Sequence, residues 1–393
     1  MRSLGTTSQR GFSLVELMVA LLIGVILTSG VISVYITSKA SYSMNTGLGQ
    51  VQEAGRYALG IMQPILVVAG NTGCRHPLSN TVSLPTMINS TDPVYNLRHA
   101  VYGFEYTGTG IGNSGSDTSS PTLDNSAGDW GPALSVSPVT QNALHNRAAK
   151  GSDVLMVHEL IADPTPAVIS GDDDSPSGTL TYATTNAPAM SAGELMIASN
   201  CGGESMVFQA TDVTSTTVSH AYSGTPGNTV PPGGVWPHFD LSGGGVGPAQ
   251  TYVFFVGSGV GGESSLFEAS LDATTGVLGT PKEMVPGVES MQVLYGVDTG
   301  NSDGTSVDMD FIPNYYGTAQ EVETAGAWDR VVSVRVALLV HSDLNTTDKA
   351  PSSATKFHML GTVAADSFTY TPNADRRLRR YFVQTFSLRN MLP

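Results

Sequence analysis

One carboxylate, Glu16, stands at the threshold of a long charge-free run. Residues 17–38 contain no Asp, Glu, Lys or Arg, and the stretch leading into them reads Arg10-Gly11-Phe12-Ser13-Leu14-Val15-Glu16. As a helix rising about 1.5 Å per residue, such a run spans about 33 Å, enough to cross a bilayer core of about 30 Å. A carboxylate at its edge is expensive in lipid, so Glu16 is read first as a functional residue. The segment fixes the first element of the chain as a long apolar helix.

That helix is expected to continue past the charge-free run. Leu48, Val51, Gly55, Ala58, Met62 and Ile65 recur at spacings of three and four, with Gln50, Glu53, Arg56 and Gln63 mostly off the stripe. One apolar face over this half predicts docking on a sheet, while the first half projects. Pro64 and the cluster Gly70-Asn71-Thr72-Gly73 are expected to end the helix, which gives it residues 12–69. No Pro precedes Pro64, although Gly24, Gly30, Gly47 and Gly49 soften the helix.

The remaining segment, 70–393, is long enough for a large core. The chain's 44 Gly, with abundant Ser and Thr, argue for many turns and a β-rich body. Strand-like runs occur at 153–158, 194–198, 251–256 and 291–295. The clearest lies at 332–340, where Val332, Val334, Val336, Leu338 and Val340 face one way and Ser333, Arg335 and Ala337 the other. That is the period of a half-buried strand. Residues 107–131 and 223–248 read as long surface loops. The fold class is therefore α+β, a long N-terminal helix packed on a β-rich globular domain with long loops. A net charge of −15 argues against nucleic acid as a partner of the body.

Catalytic and cofactor motifs are sparse. Gly257-Ser258-Gly259-Val260-Gly261-Gly262 fits GxGxxG, but alternation at 265–271 predicts a strand next, where a dinucleotide site needs a helix. The run reads as a hairpin loop. GxSxG and HExxH do not occur, and the two Cys and eight His have no zinc spacing. Asp298, Asn301, Asp303 and Asp308 put oxygen ligands around Gly304, as Ca²⁺ requires, but Thr299 stands where an acid is expected. An Asx-rich turn without an ion remains the other reading. A melting midpoint unmoved by millimolar Ca²⁺ would exclude the metal. Asp172-Asp173-Asp174 reads as a solvated acidic loop. Arg376, Arg377, Arg379, Arg380 and Arg389 concentrate five of the 18 cationic residues near the C-terminus. They form either a solvated basic face on a strand or a docking edge for an acidic neighbouring subunit, and both readings stay open.

The opening of the chain resembles the class III signal of type IV prepilins, with a short basic leader ending in Gly11, then Phe12, then Glu16 and an apolar helix. The resemblance implies a leader of residues 1–11, cleavage between Gly11 and Phe12 by prepilin peptidase, N-methylation of Phe12, and an assembly role for Glu16. The body resembles the PilW family of minor pilins. The matching blocks are Asn200-Cys201-Gly202-Gly203, Val285-Pro286-Gly287-Val288-Glu289, Tyr295-Gly296-Val297-Asp298, Trp328-Asp329-Arg330-Val331-Val332-Ser333-Val334-Arg335, Arg379-Arg380-Tyr381 and Leu388-Arg389-Asn390. The absence of a helix-breaking Pro midway through the exposed half departs from major pilins and fits a minor component. The resemblance implies a structural minor pilin in a priming or tip complex, with other minor pilins, the major pilin and a tip adhesin as partners. It is held in the inner membrane before assembly and in the fibre afterwards. A minor pseudopilin of type II secretion and an inner-membrane-anchored periplasmic enzyme are the alternatives. Export to an oxidising compartment implies that Cys74 and Cys201 form a disulfide rather than two buried thiols, and free thiols in the exported protein would exclude it.

Overall fold

In the computed structural model the first helix runs Leu14–Val68, 55 residues and about 83 Å long. The structure describes residues 11–391 apart from 73–85, 107–129, 134–136, 145–146, 161–165, 173–174, 176, 184–186, 201–204, 225, 232–233, 235, 237–243, 261, 273–274, 301–309, 343–345, 347–356, 364–365 and 371–374. Residues 11–39 are exposed on every side of the helix. From Gly47 onward one face is buried, by Gly47, Val51, Gly55, Ala58, Leu59, Met62 and Leu66. The expected division into a projecting half and a docked half is what the structure has.

Pro64 does not end this helix, contrary to the expectation from sequence; it lies inside it, one turn before the end. The reason is its position. Pro64 and Gly60, whose carbonyl would otherwise receive its N–H, both lie on the exposed face. That carbonyl can tilt out to water, so the missing bond costs less than it would in a packed interior. The stop comes at Ala69, with Gly70 in the left-handed region at φ 73°. Asn390, from the C-terminus, donates its side-chain amide to the Val68 carbonyl at 2.8 Å and satisfies a helix-end acceptor.

The helix lies on a four-stranded antiparallel sheet in the order Tyr315–Gly317, Val288–Val297, Val331–His341, Arg379–Ser387. Small residues let it approach. A Cβ on Gly55 would enter the Phe382 ring, and one on Gly47 would enter Thr346. Fully burying residues such as Leu66 and Met62 is worth roughly 1.5–3 kcal/mol each, and both are 0% exposed.

A second, larger sheet is organised around one 14-residue strand, Gly245–Ser258. Its first half pairs with Leu195–Ser199 and Ala167–Asp172. Its second half pairs with Val154–Leu160 and Ser264–Asp272. The strands expected at 153–158, 194–198, 251–256, 291–295 and 332–340 are all present, several of them longer. The GxGxxG run begins on paired strand residues Gly257 and Ser258 and leads into a hairpin with Ser264–Asp272, as alternation indicated. The chain passes between the sheets at Gly287, φ 84°, where a Cβ would sit 3.0 Å from the His341 carbonyl oxygen. Gly287 donates to Ser264 and accepts from His341, so this corner ties the sheets together.

The strand Val331–His341 differs from expectation on one point. Alternation predicts a half-buried strand, yet Ala337 and Leu339 on its second face are 0% exposed. A two-stranded hairpin, Phe357–Val363 with Asp366–Tyr370, covers that face, and Met359 and Leu360 pack on Leu294, Ala337 and Leu339.

Candidate functional site

The N-terminal end is built by a capping box. Ser13 is extended at φ −76° and ψ 149°, and its hydroxyl accepts from the Glu16 N–H at 3.1 Å. The Glu16 carboxylate accepts in return from the Ser13 N–H at 3.3 Å. Two helix-end donors are thus satisfied reciprocally. Glu16 is also favoured in the first turn by the helix dipole. Phe12 is 87% exposed and Gly11 has open space around it. Large apolar residues from Leu14 to Ile36 are exposed, and the helix is long and apolar enough to cross a membrane, with a mean hydropathy of 2.6 over its most apolar window. Such a surface needs lipid or other helices around it.

Two groups from the C-terminal sequence blocks lie at opposite ends of the four-stranded sheet. Trp328 packs on Tyr102 and Tyr295 and donates its indole N–H to Glu323 at 2.7 Å. Glu289 receives the Arg379 guanidinium at 2.6 Å and 3.2 Å. Asp375 receives the same guanidinium at 2.6 Å and 2.8 Å. Burial pushes the Asp375 carboxyl up, but Arg379 and Arg377 outweigh it and hold it below the usual range. Arg377 also pairs with Glu263 at 2.6 Å. Two of the five C-terminal arginines are therefore committed inside the body. Arg380 and Arg389 are exposed.

Asp298 is fully buried, and its two carboxylate oxygens accept from the N–H groups of Gly300 at 2.8 Å and Phe311 at 2.6 Å. Asp310 accepts from the Ile312 N–H at 2.9 Å. These bonds are those of an Asx turn. Asn301, Asp303 and Asp308 lie outside the described residues, as do Cys74 and Cys201, Asp173 and Asp174. No group of three or more metal-ligating side chains forms among the described residues.

One buried feature was not visible in the sequence. Glu105, on the strand Val101–Tyr106, and Asp153, just before the paired strand Val154–Leu160, are 6% and 2% exposed. Asp153 accepts from the N–H groups of Tyr106 at 3.0 Å and Val293 at 2.8 Å, and so joins the two sheets. Burial, then the charge of Glu105, pushes the Asp153 carboxyl up. Burial, with Glu321 adding to it, pushes Glu105 up to about 7. An acidic residue in an alternating strand reads as solvent-facing, and only the fold shows that a second layer covers it.

The chain is thus an apolar stalk with a single acid near its tip, docked by its second half on an antiparallel sheet. Residues 6–32 match the prokaryotic N-terminal methylation motif. Residues 253–390, about a third of the chain, are similar to the family of type IV pilus-assembly protein W. The two matches support a minor pilin of type IV pilus assembly. Among solved structures, a type IV-like pilin from Thermus thermophilus is similar at 13% identity, over 39% of this chain and 72% of that one, with a TM-score of 0.23. No curated protein matches.

Proposed function

We propose that this minor pilin works in a priming or tip complex with other minor pilins, and that Glu16 is its alignment charge. The observation that carries the reading is the exposed apolar half of the helix with Glu16 near its free end. In the inner membrane this carboxylate lies near the headgroup boundary, one turn into the helix. Among apolar helices in a fibre, an unpaired charge costs several kcal/mol. Lys39 is about 35 Å away along the same helix. Cleavage between Gly11 and Phe12 supplies a nearer cation, the new amino group of Phe12, which stays protonated when methylated. A neighbouring subunit's amine can reach Glu16 in a stagger of helices, and misaligned subunits leave both charges unpaired. The role is structural: the body is carried and positioned by the helix.

The test begins with intact mass of membrane-extracted protein, expected to start at Phe12 with one added methyl group. Glu16→Val should be cleaved normally and remain in the membrane, yet enter pili poorly. Wild-type incorporation of that variant would remove Glu16 as the alignment charge. Loss of secretion with normal piliation after deletion of the chain would assign it to type II secretion instead.

A further inference from the structure

The four-stranded sheet ends on Arg379–Ser387, and among the described residues that strand is bonded along one side only. Its parity follows from two bonds at its ends. Ser342 donates to the Leu378 carbonyl, and Leu388 donates to the Val332 carbonyl. With His341 opposite Arg379 and Ser333 opposite Ser387, the even-numbered residues bond inward to Val331–His341. Antiparallel alternation then turns the N–H and C=O of Arg379, Tyr381, Val383, Thr385 and Ser387 outward. Among the described residues these outward groups meet no hydrogen-bond partner.

The same stretch is open to solvent. Tyr381 is 50% and Val383 44% exposed, and Arg380, Thr385 and Ser387 are exposed as well. Its pairing with Val331–His341 runs without a bulge, and the strand contains no Pro. Natural edges are commonly blunted by these devices, and a long unblunted edge is a template for an added strand. The charge around it is also unlike the rest of the chain. Arg380 at its start and Arg389 just past its end are exposed and have no acidic partner among the described residues. They stand on a protein of net charge −15. Edge-to-edge pairing of two copies would join two acidic bodies, which charge disfavours.

We infer that the outer edge of Arg379–Ser387 receives an extended acidic segment of another pilus subunit as a fifth strand. The inference rests on the minor-pilin reading and gives it a docking partner of stated chemistry. The incoming backbone bonds to the five outward residues. Its apolar side chains lie beside Tyr381 and Val383, and its carboxylates meet Arg380 and Arg389.

The experiment uses the full processed chain in detergent and two short synthetic peptides, one alternating Val with Glu and one alternating Val with Lys. The Val-Glu peptide should bind and protect the amides of Tyr381, Val383 and Thr385 from hydrogen exchange. The Val-Lys peptide should bind about tenfold more weakly, a difference of the size that a few surface charges give. Val383→Pro removes an outward amide without breaking the ladder to Val331–His341, so its melting point should stay close to that of the parent. Its peptide binding should fall about tenfold, since one ladder bond is lost and the ring crowds the incoming strand. Should that variant melt far below the parent, the pair Arg380→Glu and Arg389→Glu replaces it and should reverse the peptide preference. Amides already protected in the free chain, equal binding of both peptides, or unchanged binding by the substituted protein each overturn the inference. In cells, normal piliation with Val383→Pro, while deletion of the chain abolishes pili, sinks the edge and leaves the pilin reading standing. Normal piliation after deletion sinks the pilin reading itself.

Discussion

Glu105 and His158 set opposite limits on the pH range in which the body is stable. Burial raises Glu105 to about 7, and burial, against a hydrogen bond from Tyr252, raises Glu159 to about 7. A carboxyl raised in the folded state binds its proton more tightly there than in the unfolded chain. Its contribution is complete below the unfolded value of about 4.5 and is lost as pH rises through about 7. His158 acts the other way. Burial lowers it to about 4, and its Nδ1 donates to the His99 carbonyl at 2.7 Å, so the folded state holds it neutral. Its contribution is present above about 6.5 and is lost as pH falls through about 4. Glu105→Gln keeps the shape and removes the charge. The variant should match the parent near pH 4.5 and exceed it above pH 7 by an amount of order 2 kcal/mol. Thermal melts of both proteins across that range decide it, and parallel curves would show that Glu105 is ionised without penalty.

Helix docking is where sequence and structure can be compared element by element. The stripe through Val51, Gly55, Ala58 and Met62 was legible because an amphipathic helix repeats its buried face every three or four residues. The last turn was not, since Leu66 rather than Ile65 is fully buried there and Pro64 is carried on the exposed side. Breaker rules describe a Pro with its helix face unknown, and the face decided the outcome. The strand Val331–His341 was legible for the same kind of reason, but its second covered face was not, because that cover comes from a hairpin some twenty residues downstream. The C-terminal arginines suggested a docking edge, but not that Arg379–Ser387 is the last strand, since that depends on the order of all four. Gly55 offers a direct test of the docking. Gly55→Val places a branched side chain into the Phe382 ring and should cost about 1–3 kcal/mol by overpacking. Gly60→Ala, on the open face, should gain up to about 1 kcal/mol from helix propensity. Melting points of the two variants should therefore move in opposite directions. A neutral Gly55→Val would mean that the helix does not approach the sheet through its small residues.

At the scale of the whole molecule the helix has an exposed part and a docked part. Its first 33 residues, 14–46, reach about 50 Å beyond the docked half, and the only charges along them are Glu16 and Lys39. The first fully buried helix residue is Gly47, and just before it Ser43 donates to the Thr346 carbonyl at 3.4 Å. The core of the body therefore begins after the projecting segment. Removing residues 1–40 takes away exposed apolar surface and leaves every buried helix contact in place. The truncated chain should be monomeric without detergent, and its melting point should stay within about 2 °C of that of the full chain in detergent, since no buried contact is lost. Circular dichroism should lose helix in proportion to the residues removed and retain its strand signal. A melting point lower by ten degrees or more, or a truncated body that aggregates, would mean that the projecting half contributes to folding the body. It would then be part of the domain rather than a stalk that exchanges lipid for neighbouring helices.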